Sequence, residues 1–168
     1  EVAIDDNGDA SSGVLSWLDH KLEDLFSIDD AEAQTTTVQK KVFVILFNFQ
    51  DDPVQPYTVD AARAVMFGPG TSVNGYYKEN SYSKLELVGK HNVAGDVYGW
   101  VTIPYNKPLN ITECNNYNVW ANAAEALVTA QGIDLTGYNV RNYGFPSAPC
   151  GWSGLGYIGG TAARSWIN

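Results

Sequence analysis

The sequence predicts a layered domain of the α/β or α+β class. Three observations carry this. A continuous run of β-branched and aromatic residues at 42–47 reads as a strand covered on both faces. Segments with helical spacing and capping residues alternate with further short strands. Finally, 168 residues with 45% hydrophobic and 17% charged content suit one domain with a real core.

The elements follow in order. Leu15, Leu18, Leu22, Leu25 and Phe26 recur at helical spacing, so residues 14–27 read as a short amphipathic helix. Residues 31–39, with Thr35, Thr36 and Thr37, read as a linker. After the strand at 42–47, Asp51-Asp52-Pro53 and Gln55-Pro56 force a loop. Thr58 is placed to cap a helix over 59–67, with Gly68 to end it. Ser72 is placed to cap a second over 73–81. Residues 85–88 and 96–103 read as strands, the latter closed by Pro104. Asn115 and Asn116 precede a helix whose apolar stripe is Val119, Trp120, Ala123, Leu127 and Ala130, with Gly132 as a stop signal. Residues 138–145 read as a strand broken by Pro146, and a Gly-rich strand follows from Gly154.

Charge divides the chain. Residues 1–32 hold ten acids and only Lys21, whereas residues 33–168 hold nine acids and nine bases, so the whole net charge of −9 lies in the N-terminal segment. No basic face can be assembled to neutralise phosphates, which argues against a nucleic-acid partner. The longest apolar run is strand-sized, which argues against a membrane span. No basic-then-apolar leader is visible at the N-terminus, the alternative being a leader already removed.

Cys114 and Cys150 have neither C-x-x-C spacing nor a nearby histidine, so they suit a disulfide, the alternative being two free thiols. Asn110-Ile111-Thr112 is a glycosylation sequon. Both features fit an exported protein.

Metal chemistry is bounded by counting. The chain has two histidines, His20 and His91, too few for a three-His zinc site. His20, Glu23 and Asp24 resemble the inverted H-x-x-E-H zinc pattern with Asp in place of the second His, and a solvated helix face explains them. Asp5, Asn7 and Asp9 open like a calcium loop, but Ala10 and Ser16 stand where Gly and a bidentate Glu belong. Ser153 lacks the full G-x-S-x-G elbow. Gly154, Gly156 and Gly159 match G-x-G-x-x-G without a following helix, so nucleotide binding is not expected. The Gly-rich strand has a better physical reading. Glycines in a strand let another backbone approach closely, and an open edge can pair with an extended peptide. Leu155, Tyr157 and Ile158 would form its body; a plain structural strand or a flexible tail is the alternative.

A resemblance adds to these readings. Gly154, Leu155, Gly156, Tyr157, Ile158 and Gly159 resemble the substrate-side edge strand of metzincin zinc proteases. Cys150-Gly151-Trp152 and Arg164-Ser165-Trp166-Ile167-Asn168 look more narrowly like secreted metallopeptidases of the gametolysin-like type. Segments 42–51, 72–82 and 95–100, then Cys114 and Phe145-Pro146, continue the likeness in order, so it covers roughly residues 40–168. Residues 1–39 fall outside it and look like a prosegment end or linker; a further reading makes residues 1–32 an inhibitory acidic prosegment whose amphipathic helix would cover the body. The resemblance implies a mixed, mostly parallel twisted sheet with helices and a Gly-rich edge strand near the C-terminus. It also implies a secreted endopeptidase acting on peptide or protein substrates, with zinc as cofactor of the complete protein. Its zinc motif, H-E-x-x-H-x-x-G-x-x-H, has no counterpart here. The expectation is therefore an N-terminal portion truncated before that motif, with no metal or catalytic residue of its own, and with uncovered apolar surface that invites self-association. The rival expectation is a non-catalytic secreted module holding a peptide or glycan.

Overall fold

The structure, a computed structural model, describes residues 36–157 and 162–168. Its central element is the strand β1, Val38–Phe49. Residues 42–49 are buried throughout, which explains their lack of polar alternation. Phe43, Ile45, Phe47 and Phe49 enter one core, and Val42, Val44 and Leu46 enter a second on the opposite face.

Around β1 lie β2 (Leu85–Val88), β3 (Asp96–Ile103), β4 (Val140–Gly144), β5 (Gly154–Gly156) and β6 (Ala163–Ile167). The order is β2-β1-β4-β6-β5, with β3 also on β1. The start of β1, Val38 to Lys41, pairs β2, and Phe43 to Phe49 pair β3 with a register shift after Ile45. β4 lies parallel to β1, and β6 parallel to β4. Among the described strands only β5 runs antiparallel, against β6. The sheet is thus mixed and mostly parallel.

Helix α1, Val59–Phe67, begins as its sequence requires, with Thr58 Oγ1 accepting the Ala61 N–H at 3.0 Å. Helix α2, Val73–Asn80, is capped by Ser72 Oγ, which accepts from Gly75 N at 2.9 Å. It ends one residue short of Ser81, whose N–H still reaches Tyr77 O. Helix α3, Tyr117–Ala130, is entered through a 3₁₀ turn, Glu113–Asn116. Gly132 follows it at φ +85°, where a glycine carries no steric penalty. Among the described residues, no helix is long and apolar enough to cross a membrane.

Four expectations need correction. β1 begins at Val38, so the linker expected over 31–39 yields its last two residues to the sheet. That part is exposed, and β2 holds it by main-chain pairing, with Gln39 Nε2 also donating to Glu86 Oε2 at 3.3 Å. β4 is shorter than the 138–145 expected; Tyr138 instead packs its ring on Phe43 at 5.0 Å. The buried stripe of α3 is Trp120, Ala121, Ala124 and Val128. Val119 and Ala130 are exposed, while Ala123 and Leu127 flank the core. The two buried alanines let the helix lie close to the sheet, which rotates the contact face by about one position. Finally, β6 was not foreseen, and it separates β4 from the edge. The expected helix at 14–27 and the acidic segment lie outside the described residues.

Candidate functional site

Among the described residues, strand β5 forms one end of the sheet. Its register sets Gly154 opposite Ile167, Leu155 opposite Trp166 and Gly156 opposite Ser165. Tyr157 N donates to Arg164 O at 2.9 Å, and Asn168 N donates to Ser153 O at 3.0 Å. In an antiparallel ladder these bonds alternate. The main chains of residues 153, 155 and 157 therefore face β6, and those of Gly154 and Gly156 face outward. Both glycines are exposed.

The edge is short, but it is pinned. Leu155 packs against the core that α3 covers. The Tyr157 ring stands edge-on to Trp166 with centroids 5.4 Å apart, and its hydroxyl donates to Asn118 Oδ1 of α3 at 3.0 Å. Asn168 staples the preceding loop: its Nδ2 donates to Ala148 O at 2.8 Å and to Trp152 O at 2.9 Å. Its Oδ1 accepts from Ala148 N at 2.5 Å. The expected disulfide is formed. Cys114 and Cys150, both buried, join the 3₁₀ turn before α3 to the loop before β5.

The glycines are not demanded by the fold. A Cβ on Gly154 would meet its nearest atom, Trp166 O, at 3.6 Å, and one on Gly156 would meet Ser165 Cβ at 3.7 Å. Those are ordinary contacts. Residues 151–157 also carry no charge and no proline, the usual devices that keep a free edge from pairing. On the sheet face opposite α3, Ser165 and Ile167 continue into an apolar groove of about 550 Å³ walled by Ala61, Val65 and Met66 of α1.

Behind β6 lies a charge cluster that sequence reasoning missed. Glu125 of α3 accepts two bonds from Arg141 Nη1 at 3.0 Å, one from Arg164 at 3.0 Å, and one from the Tyr143 hydroxyl. Burial, then the bond to Glu125, pushes the Tyr143 hydroxyl far above its ordinary pKa, so it stays a proton donor. Arg141 Nε is buried with no partner. The only signal was register: Arg141 and Arg164 are paired neighbours on β4 and β6, and β6 itself was unseen.

The remaining expected residues scatter. His91 sits in an exposed loop, and its main-chain N–H donates to Asp96 at 2.9 Å. His20, Ile158 and Gly159 lie outside the described residues. Asn110 is exposed before the 3₁₀ turn. Among the described residues, no group of three or more His, Cys, Asp or Glu side chains could hold a metal. Comparison with protein-family models gave no match, and comparisons with curated proteins and with solved structures gave no significant one.

Proposed function

We propose that this chain is the substrate-aligning portion of a secreted, gametolysin-like zinc endopeptidase, and that the outer edge of β5 receives the peptide as an additional strand. One observation carries the reading. An uncharged, proline-free sheet edge presents the main-chain groups of Gly154 and Gly156 outward, and glycine is not required there by the fold. The order of segments quoted above from Val42 onward supports the family.

The histidines and glutamate of the zinc motif have no counterparts in this chain, which holds only His20 and His91. No hydrolytic step is therefore assigned to its residues. Their part is to hold a peptide extended, which lowers the entropic cost of bringing a scissile bond to a reactive centre.

Two glycines offer about four main-chain hydrogen bonds at about 1 kcal/mol each, so affinity for the edge alone is about millimolar. The test is a titration of ¹⁵N-labelled protein with a blocked, proline-free hexapeptide of alternating Val and Thr. The Gly154 and Gly156 amide resonances should move in a saturable way, and a peptide N-methylated at alternate residues should leave them unmoved. Unmoved resonances with the unmethylated peptide at several millimolar would overturn the proposal.

A further inference from the structure

We infer that Asn110 is a site of N-linked glycosylation. It stands in the one Asn-X-Ser/Thr sequence of the chain, Asn110-Ile111-Thr112, and residues 109–112 are all exposed. The inference is independent of the peptidase reading.

The local geometry favours transfer. Asn110 Oδ1 accepts from Thr112 N at 3.0 Å and from Glu113 N at 3.2 Å, an Asx-turn that brings the threonine beside the amide. Asn110 Nδ2 donates one hydrogen to Glu113 Oε1 at 2.7 Å. The turn thus uses the oxygen and one N–H, and leaves the second N–H for substitution. These bonds span residues 110–113 only, so the turn needs no distant part of the fold. Cys114, next in sequence, is oxidised to Cys150, a bond of the kind that persists in the oxidising compartments where such transfer also occurs.

The donor is an oligosaccharide on a lipid pyrophosphate, supplied with its transferase by the secretory pathway. A bond forms from Nδ2 to the anomeric carbon. The anomeric carbon–oxygen bond breaks, the lipid pyrophosphate leaves, and one Nδ2 proton is lost. The retained N–H can still reach Glu113.

The test is secretion of the full chain from a eukaryotic host, followed by peptide mass mapping. The peptide containing Asn110 should carry a hexose and N-acetylhexosamine series, removed by a glycan amidase that leaves aspartate at that position. Thr112→Ala, which keeps every hydrogen bond named here, should reduce occupancy to near zero, and Thr112→Ser should restore it. Secreted, disulfide-bonded protein with unmodified Asn110, or equal occupancy in Thr112→Ala, would overturn the inference.

Discussion

The Tyr138 hydroxyl donates to Asp96 Oδ2 at 2.6 Å, in a buried contact between residues 42 positions apart. The same carboxylate accepts the main-chain N–H groups of Lys90, His91 and Asn92 at 2.5 to 2.9 Å. Asp96, the first residue of β3, therefore closes the loop that leads into its own strand and ties it to the start of β4. Burial alone would raise the Asp96 pKa. The bonds from Tyr138 and the three amides outweigh that and hold it below the usual carboxylate range.

Replacing Asp96 should be costly in a pH-dependent way. Asp96→Asn turns an all-acceptor group into one that points a donor at N–H groups, at a cost of about 3 kcal/mol near neutral pH. The sign follows from linkage. A folded-state pKa below the unfolded value adds stability that is complete above about pH 5 and is lost as pH falls through the folded-state pKa. Urea unfolding of both proteins should therefore show a gap that is widest at neutral pH and narrows under acid. A gap independent of pH would contradict this account of Asp96.

What could be read from the sequence, and what could not, divides along physical lines. Thr58 and Ser72 were legible as caps because their partners lie three residues away. The centre of β1 was legible because both faces are buried. Its first four residues were not, since a polar strand end is held only by what pairs with it. β6 left little pattern: five residues with Trp166 buried and Ile167 half exposed do not announce a strand. The edge position of Gly154 and Gly156 depends on β6, so the sequence could suggest a glycine strand but could not derive which of its residues face outward. The Glu125 cluster was hidden for the same reason.

The Cys114–Cys150 bond should matter both globally and locally. It closes a loop across 36 positions, worth about 4 kcal/mol in the chain-entropy treatment. Replacing both cysteines with alanine should lower unfolding stability by about that amount. Hydrogen exchange should also accelerate over residues 148–157 more than in β1. Uniform acceleration would mean that the bond does not specifically anchor the edge.

Glu125 should be the most sensitive charged residue behind β6. Its removal leaves Arg141 and Arg164 facing each other across neighbouring strands without their shared carboxylate. Breaking a fully buried pair costs roughly 3–5 kcal/mol. These side chains keep some exposure, so Glu125→Ala should cost less, about 2 kcal/mol after allowing for solvent screening. Glu125→Ala in an Arg164→Met background should cost less again, because one stranded cation is gone. A double-mutant cycle read by thermal unfolding checks this; strict additivity would sink it.

The orientation of β5 is itself testable by proline. Leu155 lies between the two pairs whose main chains bond across to β6, and the alternation aims its N–H inward. Leu155→Pro removes a ladder bond and leaves its acceptor unpaired, which should cost about 2 kcal/mol. Gly156→Pro removes an outward N–H, a substitution that an edge strand tolerates. It should leave the unfolding midpoint close to the parent's while weakening the alternating Val–Thr hexapeptide several-fold. The two variants separate fold from recognition, since only the second leaves the domain intact and blocks its outer edge. Equal stability losses in both would show that the Gly156 amide is engaged within the sheet, and the edge would not be free to take a peptide.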